Sequence, residues 1–243
     1  MKLLLFKSLT LLILSLPILA ADLANSLGAV DRDPADKARD AGRKPAAVLD
    51  FLGLEPGMTA LDVIAASGYY TEILSIAVGP NGRVIAQNPL FVLKFRDGAN
   101  DKALSQRLAN NRLSNVIRMD GDIEKLDVNP GSVDLAITAL NFHDIYNRGG
   151  KDAAIDFSRA VMVLLKPGGV FGVIDHEGAN SADNASLHRM PLALAIEALE
   201  SAGYLIEATS DVLRNPNDDM TKMVFSPEIR GKTDRFLIKA IKP

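Results

Sequence analysis

The feature that most constrains the fold of this chain is the segment 59–72, which is T-A-L-D-V-I-A-A-S-G-Y-Y-T-E. Its apolar run, its turn of small residues and its amphipathic continuation predict a buried strand, a tight turn and the start of a helix. A strand, turn and helix in this order present backbone N–H groups to nucleotide-like ligands in α/β sheets. Of the glycines that such a loop usually carries, only Gly68 is present. The sequence therefore indicates an altered ligand loop.

The rest of the chain alternates short apolar runs with amphipathic segments, a pattern typical of a mainly parallel sheet flanked by helices. The last two runs are separated only by a polar segment, so we expect them to form an antiparallel edge of the sheet. The predicted strands are 59–64, 83–87, 116–119, 133–140, 170–175, 205–213 and 234–241. The predicted helices between them are 46–51, 69–78, 101–108, 153–165 and 191–202.

The N-terminal residues have the composition of a secretory signal segment. Lys2 and Lys7 precede a short apolar run that ends in the small residues Ala20 and Ala21. We therefore expect a signal peptide over 1–20, a flexible mature N-terminus over 21–30, one domain over 31–243, and export to the periplasm or the extracellular space. The apolar run is short for a transmembrane helix, so we expect no stable membrane span once the segment is cleaved.

Charge and composition limit the classes of partner and site that the chain is expected to have. Loss of 1–20 would remove two lysines and no acid, changing the formal charge from −3 to −5. A mildly acidic chain without a basic stripe is a poor nucleic-acid binder, and a small molecule is the expected substrate. The absence of cysteine excludes disulfides and thiolate metal sites. The oligomeric state is left open by the sequence.

All three histidines fall after predicted strands or in the loop that follows. His143 and Asp144 follow the fourth strand, His176 ends the fifth, and His188 and Arg189 lie beyond the next loop. Because ligands of such sheets bind at the carboxyl ends of the strands, we expect these side chains to share a pocket. The alternative for each histidine is a loop or core position without function.

Several motifs, in their order along the chain, resemble those of class I S-adenosylmethionine-dependent methyltransferases. They are Leu61-Asp62 through Gly68, Gly121-Asp122-Ile123, Val133-Asp134-Leu135-Ala136 and Leu165-Lys166-Pro167-Gly168-Gly169. The resemblance covers about residues 30–243. It implies a Rossmann-like, doubly wound α/β fold with a seven-stranded, mostly parallel sheet and an antiparallel C-terminal edge. Such a fold does not by itself establish an activity.

A narrower resemblance is to a group of exported predicted methyltransferases. The motifs that carry it are Gly68-Tyr69-Tyr70-Thr71-Glu72, Phe142-His143-Asp144, Asp175-His176, Leu187-His188-Arg189 and Arg230-Gly231-Lys232-Thr233-Asp234-Arg235-Phe236. Export and this cofactor are in tension, because S-adenosylmethionine is made in the cytoplasm.

The resemblance implies S-adenosylmethionine as the cofactor and places its methionine part beside the opening loop. Asp62 and the turn at Ala66, Ser67 and Gly68 would lie next to it, and Tyr69 would close over it. An alternative for this tyrosine and its neighbour is core packing. Ile64, Ala65 and Ala66 stand where the family has glycines, so we expect positive φ angles there to cost binding energy.

The remaining cofactor contacts are implied after the second and third strands. Gln87 and Asn88 would face the ribose, where most such enzymes carry an acid that accepts from both hydroxyls. Asp122 and Ile123 would meet the adenine. The alternative for Asp122 is that it only caps the segment after it.

For the chemical step, the expected proton acceptor is His143, oriented by Asp144, with His176 and His188 as alternates. The substrate would contact Tyr70, His188 and Arg189, although Arg189 is equally explained by a surface salt bridge.

Two alternatives from other classes stay open. One is a non-catalytic binding protein on the same fold, favoured by the missing glycines and by export. The other is a metal-dependent hydrolase or lyase that uses His143, Asp175, His176 and His188 as ligands. No tight ligand spacing such as H-E-x-x-H supports a metal, so the main hypothesis assigns none.

Overall fold

The computed structural model describes residues 18–243 of the chain. Within them lies a seven-stranded sheet in the order β3-β2-β1-β4-β5-β7-β6. β1 to β5 are parallel, and β7 runs antiparallel to both β5 and β6. The strands are β1 (Thr59–Val63), β2 (Arg83–Asn88), β3 (Val116–Asp120), β4 (Val133–Ala139), β5 (Leu165–His176), β6 (Leu205–Ser210) and β7 (Arg235–Ile241). The predicted α/β fold with its antiparallel edge is confirmed.

Helices cover both faces of this sheet. One face packs against α6 and α8 through residues such as Phe142, Phe171 and Leu199, and the other packs against α1, α3 and α4 through Leu49 and Ile73. The helices are α1 (Ile18–Ala29), α2 (Pro34–Arg43), α3 (Pro45–Leu52), α4 (Tyr69–Val78), α5 (Leu90–Leu108), α6 (Phe142–Leu164), α7 (Asn184–Leu187) and α8 (Leu192–Ala202).

The strand register brings the predicted site residues to one edge of the sheet. Val63 at the end of β1 lies opposite Gln87 in β2 and Thr138 in β4. The segment after β1, the end of β2 and the start of α6 therefore meet at the carboxyl edge of the parallel strands. The parallel order of these strands explains why the predicted site residues share one edge of the sheet.

Several helical segments, among them α2, α5 and α6, differ from the expectations drawn from sequence. α2 was not predicted because it is strongly polar, although Asp33 caps it by accepting from the Ala35 N–H at 2.8 Å. Only the second halves of α5 and α6 were predicted. α5 leaves helical geometry over 95–98, and α6 does so at Gly150, which has a φ of 75°.

The N-terminal expectations have different outcomes. Residues 21–30 were expected to be flexible, but most of them form α1, where Leu27 is buried against the helical layer and Leu23 packs beside it. The two leucines are four residues apart and share one helix face, which explains the docking. The predicted signal segment lies outside the described residues except for its last three. In the described part of the chain, no helix has the length and apolarity needed to cross a membrane.

Candidate active site

The opening loop between β1 and α4 keeps the backbone path of a glycine-rich turn. Ile64, Ala66 and Gly68 have φ angles of 58°, 51° and 82°, so three alternate residues lie in the left-handed region. For a residue with a Cβ atom this conformation costs about 1–2 kcal/mol. The expectation that glycine-type positions are filled by other residues agrees with this geometry at Ile64 and Ala66. It is wrong for Ala65, which is not left-handed.

Two buried amides at the end of β2 hold this loop. The Gln87 Oε1 accepts from the Ile64 N–H at 2.9 Å, and the Asn88 Oδ1 accepts from the Ala66 N–H at 2.7 Å. Asn88 also donates through Nδ2 to the Ala66 carbonyl at 3.1 Å, and Gln87 donates to the Gly121 carbonyl at 2.7 Å. The residues expected to face the ribose are thus bonded to the protein backbone, and a ribose would have to exchange for these bonds.

Asp62, one residue before the end of β1, is buried beneath the loop. Its Oδ2 accepts from the Thr71 hydroxyl at 2.6 Å. Burial raises the pKa of Asp62 to about 6, although the bond from Thr71 acts in the opposite direction. A cationic ligand group beside this carboxyl would favour its ionised form.

A network of ion pairs around Arg107, which the sequence did not predict, holds the loop in place. Arg107 in α5 donates through Nε to the Ser67 carbonyl at 3.0 Å and pairs with Glu72 in α4. It also pairs with Asp36 in α2 at 2.6 Å, and both carboxylates are buried. The pairs join residues 35 and 71 positions apart, and no local pattern reveals contacts at such separations.

The two tyrosines that begin α4 are both buried and meet edge to face at 5.2 Å. The Tyr69 hydroxyl donates to Asp40 at 2.6 Å, and the Arg43 guanidinium lies 4.4 Å from the centre of its ring. Tyr70 lines a cavity of about 10 Å³ with Arg43 and Arg235, which is room for about one water. This arrangement fits the packing alternative for both rings.

The predicted adenine contacts separate in the structure. Ile123 is buried in the core, whereas the Asp122 side chain is 56% exposed and pairs with Lys125 at 2.9 Å. Asp122 precedes a short 3-10 helix, but its side chain makes no capping hydrogen bond there. Its carboxylate is therefore free to turn toward a ligand.

The three histidines lie together at the same edge, as the sequence predicts. The His143 ring centre is 5.8 Å from that of His176 and 5.6 Å from that of His188. Asn141, two residues before His143, donates to the Ile64 carbonyl at 3.2 Å. This bond ties the histidine cluster to the opening loop.

The expectation that Asp144 orients His143 is wrong, because Asp175 does so. The His143 Nδ1 lies 2.7 Å from Asp175 Oδ1, whereas its Nε2 is 3.7 Å from Asp144 Oδ2, beyond hydrogen-bond distance. Asp175 is fully buried and also accepts from the backbone N–H groups of His143 and His176, each at 2.7 Å. A carboxylate so placed fixes the proton of His143 on Nδ1 and leaves the Nε2 lone pair free.

The pKa values of the two buried histidines are shifted in opposite directions. Burial favours the neutral ring of His143, but the Asp175 carboxylate outweighs it, and the pKa of His143 is raised. Burial and nearby cations hold the pKa of His176 well below its usual range. The His176 Nδ1 lies 2.7 Å from the Thr233 hydroxyl, which accepts from Arg235 Nε at 3.1 Å and so donates to the ring. His176 is therefore a neutral structural neighbour of His143 and not an equivalent base.

The expectation that Arg189 contacts a substrate is also corrected. Its side chain is fully buried and forms a two-bond ion pair with Asp218 at 2.8 and 3.1 Å. Its other donors bond to the carbonyls of Glu177 and Lys222. All five N–H groups are used, so Arg189 anchors the loops around the site.

The N-terminal part of the domain matches a known protein family. A family model for protein-L-isoaspartate(D-aspartate) O-methyltransferase matches residues 37–124. The match includes the opening loop and the end of β2, and it stops before the histidine cluster.

Two further proteins similar to this chain are methyltransferases. The ubiquinone/menaquinone biosynthesis C-methyltransferase UbiE of Ectopseudomonas mendocina (strain ymp) is 26% identical over 170 residues, which are 66% of this chain and 61% of that relative. A SAM-dependent methyltransferase from Aquifex aeolicus superposes with a TM-score of 0.64 at 20% identity, covering 92% of this chain and 98% of that one.

A third similar protein is known with ligands. It is the geranyl diphosphate C-methyltransferase of Streptomyces coelicolor A3(2), in complex with Mg²⁺, geranyl diphosphate and S-adenosyl-L-homocysteine. It superposes with a TM-score of 0.62 at 13% identity, covering 90% of this chain and 88% of that one. The solved structures establish the class I methyltransferase fold. The family match and the curated relative support membership of the methyltransferase superfamily.

Proposed function

We propose that this chain is an S-adenosylmethionine-dependent methyltransferase that acts on a small molecule. The observation that carries the proposal is the left-handed backbone at Ile64, Ala66 and Gly68, a conformation that glycine adopts most readily, in a loop whose only glycine is Gly68. The family match over 37–124 includes this loop. The fold alone would be weaker support, since one fold serves many functions.

Some residues around the loop suit the cofactor as they stand, whereas others would have to give up existing hydrogen bonds to contact it. Asp62, Ser67 and Gly68 suit its cationic methionine end, because Asp62 is a buried carboxyl that gains from a positive neighbour. Asp122 could exchange its surface pair with Lys125 for an adenine amine. Gln87 and Asn88 would have to exchange bonds with the loop for bonds with the ribose hydroxyls. We therefore expect weaker binding than in a loop that carries an acid there.

His143 is the proposed proton acceptor of the reaction. When bound, S-adenosylmethionine supplies a methyl group on a sulfonium, which is electrophilic. Nε2 of His143, which has no hydrogen-bond partner among the described residues, would take the proton that an acceptor oxygen or nitrogen gives up when it is methylated. Asp175 holds the ring and stabilises the imidazolium that forms.

Calorimetry with S-adenosylmethionine and S-adenosylhomocysteine tests the cofactor part directly. Binding of neither ligand at about 1 mM, where even about 4 kcal/mol of binding energy is detectable, would refute the proposal. If a substrate is found, His143→Ala should abolish turnover and leave the cofactor Kd within a few-fold. Asp175→Asn should lower turnover at least 100-fold with the same affinity, because a loss of orientation has effects of about this size. A parallel loss of affinity and turnover would indicate a structural role instead.

A non-catalytic binding protein is the second candidate. The observation that favours it is the engagement of Gln87 and Asn88 with the loop. It predicts that a ligand binds and is recovered chemically unchanged after prolonged incubation.

Export also belongs to the proposal. We propose that residues 1–20 direct the chain out of the cytoplasm. Cell fractionation with N-terminal sequencing of the recovered protein tests this, and an intact N-terminus in the cytoplasmic fraction would refute it.

A further inference from the structure

A second chemistry is indicated by the three side chains of His143, Asp144 and His188, which form one cluster at the mouth of the site. One donor atom of each lies within 4.8 Å of the others. Asp144 is 3.7 Å from His143 Nε2 through Oδ2 and 3.3 Å from His188 Nδ1 through Oδ1. We propose that this cluster binds a divalent transition metal ion, with two imidazole nitrogens and one carboxylate oxygen as its protein ligands.

The strongest support is that the two nitrogens lack partners. Nε2 of His143 and Nδ1 of His188 are buried atoms without a hydrogen bond among the described residues, and His143 as a whole is only 2% exposed. A buried polar atom left unpaired costs about 1–3 kcal/mol, and a metal ion that accepts both lone pairs removes this cost.

The surroundings of His143 are those of a metal ligand. Its second nitrogen is held by the buried Asp175 carboxylate at 2.7 Å. A histidine that binds a metal almost always donates its other N–H to such a group, which fixes the ring and raises its basicity. The structure thus provides the outer contact as well as the ligand.

The backbone at His188 gives separate support. This residue has a φ of 54° and ends α7 in the left-handed conformation. Its ring packs at 5.1 Å against Phe225 and faces His143 edge-on. A residue with a Cβ atom held in this conformation is a reason to look for a function, and here the conformation aims the ring at the cluster.

The ligand set selects the kind of ion. Two imidazoles and one carboxylate suit zinc, iron, cobalt and similar ions, whereas magnesium and calcium prefer oxygen alone. At metal–ligand bonds of roughly 2.1 Å, tetrahedral ligand atoms lie about 3.4 Å apart, so small rotations bring the three donors into place. Arg148, 3.5 Å from Asp144, is a competing cation, but its side chain is 66% exposed and free to move away.

Three protein ligands leave a coordination position open toward solvent, because Asp144 and His188 are 38% and 33% exposed. A hydroxyl or carboxylate of a small molecule fits that position. In the metal-bound chain Nε2 of His143 is a ligand, so the ion would lower the pKa of a coordinated acceptor hydroxyl, and the proton would pass to solvent water. The proposed role of His143 as a base then belongs to the metal-free chain.

The test is a titration of the full, chelator-treated chain with Co²⁺ followed by visible absorption, and with Zn²⁺ in competition with a chromophoric chelator. We expect one ion per chain. His188→Gly and Asp144→Asn should each weaken binding at least tenfold, the lower end of what even an outer contact contributes. Glycine suits the left-handed position, so the first variant should keep its fold. The matched control is His176→Gln, which changes the third histidine and should leave the affinity within twofold.

Two results would overturn the metal site. One is the absence of saturable binding up to about 1 mM metal in the intact chain, and the other is equal affinity in His188→Gly and the parent. Cofactor binding is measured separately by calorimetry without metal, so failure of the metal site and failure of the methyltransferase proposal are distinguishable.

Discussion

The left-handed conformation of Ala66 predicts that a glycine there stabilises the protein. With a φ of 51°, the alanine pays about 1–2 kcal/mol for its Cβ atom. Glycine removes this cost but adds about 0.5–1 kcal/mol of unfolded-chain entropy. Ala66→Gly should therefore raise the free energy of unfolding by about 0.5–1 kcal/mol, or roughly 1–4 °C in Tm for a chain of this size.

The neighbouring Ala65 provides the matched control. It is buried, with 8% exposure, and lies outside the left-handed region. Ala65→Gly should lower the free energy of unfolding by about 1–2 kcal/mol, since it adds the entropy cost and loses a buried methyl group. Urea denaturation followed by circular dichroism compares both variants with the parent. Equal destabilisation by the two substitutions would refute the argument that loop strain resides at Ala66.

Three further predictions concern other parts of the site. Because burial raises the pKa of Asp62 to about 6, the parent should lose about 2 kcal/mol of stability relative to Asp62→Asn as pH rises from 4 to 7, and parallel urea midpoints across this range would contradict it. Asp218→Asn should lower the free energy of unfolding by about 3 kcal/mol, measured by urea denaturation, because it leaves the buried Arg189 guanidinium unpaired. The exposed control Asp219→Asn should change it by no more than about 0.5 kcal/mol, and similar costs for the two variants would argue against an anchoring role of the pair. Asn88→Asp should cost about 1–3 kcal/mol of unfolding free energy, because a carboxylate cannot donate to the Ala66 carbonyl. In the Ala66→Gly background the cost should be at least about 0.5 kcal/mol smaller, and strict additivity of the two substitutions would count against coupling between residues 66 and 88.

The fold was predictable because the signals that determine it are local. Apolar runs and stop signals located all seven strands, and Gly68 and Gly79 marked the limits of α4. α2 escaped notice because its stability comes from distant ion pairs and not from an apolar face. A pattern four residues apart, Leu23 and Leu27, was present in the sequence but was outweighed by the polar residues around it.

The site was only partly predictable. Sheet topology correctly gathered the three histidines, because carboxyl ends of parallel strands share an edge. The partner of His143 was misassigned to the adjacent Asp144, since sequence proximity says little about where a ring nitrogen points. Asp175, 32 positions away, reaches it through the pairing of β4 with β5. The burial of Arg189 depends on residues almost thirty positions away and had no local signal.

The altered loop and the altered end of β2 are best understood as one change. A carboxylate at Asn88 could accept from the Ala66 N–H but could not donate to its carbonyl, whereas the amide does both. Each such bond contributes about 1 kcal/mol, which is the size of the strain that a Cβ atom introduces at a left-handed residue. The amides that replace the usual acid therefore offset the loss of the glycines. Because both partners of Asn88 are backbone groups of residue 66, a glycine there keeps the two hydrogen bonds, and only the strain that they offset is removed.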